Sequence, residues 1–269
     1  NLKAMNVFTR LIQCILVCSP IVLLGYLVNQ QFVFDGTFVV KHGVAETSPF
    51  IDRLLPDQRV NDPVIQDGQL IQNILPVYKT ETQQISTSSK VELALHTESA
   101  FHPYKPDYVL LLCLRGDDKA VTTYANVNDI VELLSDEVVK SLKQPWYRTA
   151  VDDSFRTKGE PQKEFIMPIL SEVEGKLAIT YDNFFMRGIN MYADLALAEL
   201  NHAVQKCTKE IVLRTGDLLA IDNSKVIHGR KPFQARYDGT DRWVQRMLVR
   251  KQMPPKDQID GNVIVTKFG

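Results

Sequence analysis

Cysteine is scarce, with four residues (Cys14, Cys18, Cys113 and Cys207) in a chain of 269. Cys14 and Cys18 stand at helical i, i+4 spacing and the other two lie far apart, so a disulfide framework is not indicated and a reducing cytoplasm is expected. A surplus of one charge is also missing. Lys plus Arg is 31 and Asp plus Glu is 32, a formal net charge of -1. No basic field is available to hold nucleic acid, and there is no acidic tail. Long unbroken apolar runs are missing too. The segment Leu11 to Val28, LIQCILVCSPIVLLGYLV, is interrupted by Gln13, Ser19, Pro20 and Gly25. A clean span needs about 20 apolar residues, so residues 1–30 read as a buried N-terminal helical segment and no membrane partner is expected. Internal repeats, low-complexity blocks, GxGxxG and GxxxxGK[ST] loops are absent, which removes the evidence for a Rossmann or P-loop nucleotide site.

What is present is an ordinary globular composition, 45% apolar and 23% charged. Short runs rich in Val, Ile, Leu, Tyr and Phe dominate: Phe32–Lys41, Gln69–Lys79, Val91–His96, Tyr108–Leu114, Ala120–Ala125, Phe165–Leu170, Lys176–Asn183, Glu210–Leu213, Asp217–Asp222, Trp243–Arg250 and Val263–Lys267. Two segments carry helical periodicity, Asn126–Leu142 and Asn190–Lys206. Antiparallel strands with a few helices imply a mainly β fold with peripheral helices, a double-stranded β-helix (jelly roll), in one domain over 1–269. The polar stretches Gly43–Pro63 and Lys143–Pro161 read as long loops, and residues 143–163 are the candidate lid.

Chemistry concentrates in ELALHTESAFHP. His96 and Glu98 are two residues apart at the end of a strand-like run, so an imidazole and a carboxylate are expected on one face. His228, in NSKVIHGRKPF, is expected after the strand that ends at Asp222 and before a Gly-Arg turn. Two histidines and one carboxylate are the ligand set of non-heme Fe(II) oxygenases. Arg242 and Arg246 stand in DRWVQRMLVR, an otherwise apolar run, where a buried arginine calls for an anion. His102, in HPYKP, reads as a turn residue, His42 and His202 as loop and helix-surface residues, and Cys113 as core. Trp146 and Tyr147 either cap a pocket or anchor their loop.

The blocks HTESAFHPYKPDYVLLLCLR and HGRKPFQARYDGTDRWVQRMLV resemble the clavaminate synthase-like Fe(II)/2-oxoglutarate oxygenases, most of all the free amino-acid (arginine and asparagine) β-hydroxylases, and more distantly taurine dioxygenase. The resemblance covers Phe32 to Arg250. It implies an enzyme using Fe(II), 2-oxoglutarate and O2 to hydroxylate a free L-amino acid, at C3 of a basic or polar one such as arginine. It implies that His96, Glu98 and His228 are the metal ligands and catalytic centre. It places Arg242, aided by Thr122 or Thr123 with Thr122 favoured, on the far carboxylate of 2-oxoglutarate. The substrate contacts it implies are Arg246, Gln66, Ser86 and Glu98. For the substrate side chain, the strand KLAITYDNFF offers Asp182 alone, where arginine hydroxylases have a pair of acids. Two other readings keep the same fold: desaturation, cyclisation or hydroxylation of a carrier-bound or peptide substrate with the same cofactors, and a binding protein with a vestigial metal site.

Overall fold

The computed structural model of the chain describes residues 37–40, 71–151, 163–252, 254–260 and 263–264. The expected N-terminal helical segment, Gln66, His42 and residues 152–162 of the expected lid lie outside these. In chain order the elements are β1 (Thr37–Val40), β2 (Ile71–Ile74), β3 (Leu93–His96), β4 (Tyr108–Arg115), β5 (Val121–Asn126), α1 (Val127–Val131), α2 (Asp136–Leu142), β6 (Tyr147–Ala150), β7 (Glu164–Met167), β8 (Leu170–Val173) and β9 (Lys176–Ile179). There follow β10 (Arg187–Gly188), α3 (Met191–Cys207), β11 (Lys209–Val212), β12 (Leu218–Asp222), β13 (Val226–Arg230), β14 (Trp243–Val249), β15 (Ile259–Asp260) and β16 (Val263–Ile264). The chain is mainly β, as expected.

Two antiparallel sheets form the body. One runs β1-β12-β4-β14-β2 and the other β11-β5-β13-β3. The sequence of β4, YVLLLCLR, is apolar without alternation because both its faces are covered. Val109, Leu111 and Cys113 join Leu213, Leu219, Val226 and Val244 in a cluster drawn from both sheets. Tyr108, Leu110, Leu112 and Leu114 turn the other way, with Leu218, Ala220 and Trp243. Burying a leucine such as Leu110, which is fully inaccessible, contributes roughly 1.5–3 kcal/mol. The third cluster lies behind the four-stranded sheet, where Leu95, Ala125 and Ile227 meet the apolar sides of α1, α2 and α3.

Three expectations are corrected. The helix expected over Asn126–Leu142 is two helices. Ser135 caps α2 by accepting from the Val138 amide, an N-cap that starts a new helix within a continuous apolar periodicity. The candidate lid is in part a strand, since Tyr147–Ala150 pairs with β7 and β10. Tyr147 is fully buried with its hydroxyl 3.1 Å from Ser141 Oγ, and Trp146 packs on the same cluster, so both anchor this segment to the core. Finally, His228 and the Gly-Arg pair after it lie inside β13 and form no turn. No helix of the described residues is long and apolar enough to cross a membrane.

Candidate metal centre and cosubstrate cavity

β3 and β13 run antiparallel with His96 and His228 as direct partners, their ring centroids 4.7 Å apart. Glu98 follows in the turn after β3, just beyond the strand on which alternation would have placed it. Ligand atoms of His96, Glu98 and His228 lie within 4.8 Å of one another. The set fits a divalent iron. His96 Nδ1 lies 2.8 Å from the Ala94 carbonyl; donation there leaves Nε2 with the lone pair a metal requires. His228 Nε2 stands 3.6 Å from Glu98 Oε2, a distance that two ligands of one ion share.

The charge states also suit a cation. Burial pushes the Glu98 carboxyl up, but the Arg246 charge, the His228 hydrogen bond and His96 outweigh it and hold the group well below the usual carboxylate range. Burial pushes the His228 imidazole down, against the pull of Glu98. A carboxylate and a neutral imidazole are the forms that bind metal.

One residue that sequence reasoning missed fixes this geometry. Asn223 is fully buried; its Oδ1 accepts from the Glu98 amide at 2.8 Å, and its Nδ2 donates to the carbonyls of Glu98 and Pro106 at 3.1 and 2.9 Å. Nothing in the chain pattern marks it, because its partners are more than a hundred residues away.

The three ligands line a cavity of about 340 Å³ that also receives Arg242, Thr122, Arg246, Ser86 and Asp182. Arg242 is 8% exposed and makes no ion pair among the described residues. Burial lowers its pKa, the cost of a charge withdrawn from water, and the weaker pull of Cys113 and Asp117 does not offset it. Thr122 and Thr123 are both buried with unpartnered hydroxyls, but only Thr122 faces the cavity. Arg246 donates from Nη1 to Glu98 Oε1 at 2.9 Å and from Nε and Nη2 to Gln72 Oε1 at 2.9 and 2.7 Å. Gln72 is a second residue the sequence did not reveal.

Asp182 is less available than expected. Its Oδ1 accepts from the amides of Phe184 and Phe185 at 2.8 and 2.9 Å, capping the turn there. His102 is structural, with Nδ1 accepting from the Tyr104 amide at 2.9 Å. Cys113 is fully buried, and burial pushes its thiol up to about 11, so it packs as core.

Known proteins resemble this chain in sequence and in structure. The L-lysine 3-hydroxylase of Catenulispora acidiphila is 33% identical over 220 residues, 77% of this chain and 61% of that protein. The enduracididine beta-hydroxylase of Streptomyces hygroscopicus is 33% identical over 212 residues, 70% and 62% of the two chains. The crystal structure of an asparagine oxygenase in complex with Fe(II), 2S,3S-3-hydroxyasparagine and succinate superposes with a TM-score of 0.63 at 37% identity, over 67% of this chain and 56% of that one. A non-heme iron oxygenase in complex with Fe and alpha-ketoglutaric acid gives a TM-score of 0.62 at 37% identity, over 70% and 59%. The chain thus spans about three fifths of the length of the curated relatives it matches. Residues 60–248 match the family described as Taurine catabolism dioxygenase TauD, TfdA family, and with its ligand triad on that stretch the chain belongs to this family.

Proposed function

We infer that this chain carries the centre of an Fe(II)- and 2-oxoglutarate-dependent hydroxylase of a free L-amino acid, acting at C3 of a basic or polar one. The observation that carries the reading is the meeting of His96, Glu98 and His228 in one cavity with a buried, unpaired Arg242. Relatives named for lysine, enduracididine, asparagine and ornithine/arginine oxidation support the substrate class. The two facing antiparallel sheets support a double-stranded β-helix as the scaffold. Free Cys113 and Cys207 and a ferrous centre fit a reducing cytoplasm.

Iron bound at the triad supplies, with 2-oxoglutarate and dioxygen, the oxidising power to place one oxygen atom in a C–H bond while 2-oxoglutarate becomes succinate and carbon dioxide. The protein's part is positioning. His96, Glu98 and His228 would hold the iron, and a set of only three protein ligands would leave it free to bind small molecules as well. Arg242 and Thr122 hold the far carboxylate of 2-oxoglutarate. Arg246 and Ser86, with Gln66 from outside the described residues, hold the backbone groups of the amino acid, and Glu98 stands beside its amino group. Clamping both small molecules keeps the target carbon within reach of the metal. Asp182 keeps one carboxylate oxygen for a basic or polar substrate side chain.

Incubation with Fe(II), 2-oxoglutarate and a panel of free amino acids tests the reading. A product heavier by one oxygen, with equal succinate, is expected for at least one basic or polar amino acid, and none for His96→Ala. Loss of two hydrogens would redirect the reading to desaturation. Absence of both turnover and succinate across the panel overturns it.

A further inference from the structure

Arg230 follows His228 by two residues on β13, so both side chains leave the same face of the strand, and both line the cavity. Arg230 stands opposite Thr122 in the β13–β5 register. It is 4% exposed. Its Nη2 donates to Ser88 Oγ at 2.9 Å, and its guanidinium carbon lies 4.8 Å from the centre of the Phe233 ring. That leaves Nε and Nη1 buried with no acceptor, and the hydroxyl of its cross-strand partner Thr122, which lines the same cavity, has none either.

No ion pair relieves either Arg230 or Arg242 among the described residues. Both guanidinium groups are buried in the lining of this one cavity. Two buried guanidinium groups without a carboxylate between them are costly for an empty protein. A bound carboxylate removes that cost by accepting from both. The acids lining the cavity do not serve. Glu98 is engaged by Arg246 and His228, and Asp182 forms no ion pair with either arginine.

We propose that Arg230 is a second cationic contact for the far carboxylate of 2-oxoglutarate, completing with Arg242 and Thr122 a hole for that group. The inference rests on the cavity being a 2-oxoglutarate site. Its plain alternative is that Arg230 only ties the Ser88 loop to β13.

Anaerobic calorimetry of the Fe(II)-loaded protein separates the two, with 2-oxoglutarate and pyruvate as titrants. Pyruvate keeps the keto-acid head and lacks the far carboxylate. Arg230→Met is expected to weaken 2-oxoglutarate roughly ten- to hundred-fold, the size of a charge-assisted hydrogen bond, and to leave pyruvate unchanged. Ser88→Ala, which removes the loop tie alone, is expected to leave both affinities near those of the parent. Equal weakening of the two ligands, no weakening, or the same loss in Ser88→Ala overturns the proposal. Circular dichroism checks the fold. If Arg230→Met does not fold, Arg230→Lys takes its place, with a selective several-fold loss expected and unchanged affinity overturning the proposal. A parent protein that binds no 2-oxoglutarate overturns the reading of the cavity itself, a different outcome from a parent that binds while Arg230→Met binds equally well.

Discussion

Gly229 presses its backbone against Leu93. A β-carbon at residue 229 would stand 2.5 Å from the Leu93 carbonyl oxygen and 3.2 Å from the Leu95 amide nitrogen. Both contacts are backbone, so neither can swing aside. The β3–β13 pairing shifts register between His228 and Arg230, at this same point. Gly229→Ala is therefore expected to push β13 off β3 and draw His228 away from His96. A stability loss of roughly 1–3 kcal/mol in urea unfolding should come with weakened metal binding. Unchanged stability and metal affinity would contradict the close approach.

Asn223 holds the Glu98 backbone from both sides. Asn223→Ala leaves the Glu98 amide and two carbonyls buried without partners, a loss of about 2 kcal/mol or more. Asn223→Asp keeps the acceptor for the amide but cannot donate to the carbonyls of Glu98 and Pro106. Metal titration is expected to rank parent, Asn223→Asp and Asn223→Ala in falling affinity; equal affinities would count against a positioning role.

Arg246 and Glu98 form a pair with side chains 17% and 7% exposed. Removing one partner of a buried pair costs about 3 kcal/mol, because the other charge is stranded. Arg246→Met should show that loss in the metal-free protein. With a divalent cation bound at the triad, Glu98 gains a different counter-charge and the loss should shrink. Thermal unfolding with and without Fe(II) or Mn(II) under nitrogen measures the difference, and equal losses would argue against Glu98 as a ligand.

Asp222 ends β12 with a carboxyl that burial pushes above its ordinary value of 3.8, despite hydrogen bonds from the Ser224 hydroxyl and amide. A raised folded pKa means the folded state binds the proton more tightly, so ionisation of Asp222 works against the fold as pH rises through that value. Asp222→Asn keeps an acceptor oxygen for Ser224 and removes the charge. Its melting temperature should exceed the parent's at pH 7, with the gap closing as pH falls toward the ordinary aspartate range. A gap that persists or widens in acid would show that the sign is wrong.

The sequence revealed those parts of the site whose residue types are costly anywhere else. His96, Glu98 and His228 stood out as ligand chemistry, and Arg242 as a charge in an apolar strand; the fold brings all four to one cavity. Position along the strand was harder to read. Gly229 signals a turn by composition, yet here glycine is needed because another strand lies against it. Ser135 within LLSDEV is a helix start hidden inside a periodic apolar pattern, so α1 and α2 read as one helix. Residues 147–150 resemble a loop because β6 draws its partners from β7 and β10, which local pattern does not disclose. Gln72, Asn223 and Arg230 are ordinary polar residues until distant backbone or another charge meets them.

The Arg246–Glu98 contact joins positions 148 apart, and His96 finds His228 only through cross-strand pairing. A growing polypeptide that has passed β3 and the turn after it holds two of three ligands and waits for most of the remaining strands before the third arrives. Iron capture is accordingly a late event in the life of each molecule, rewarding completed chains and offering almost nothing to fragments released early.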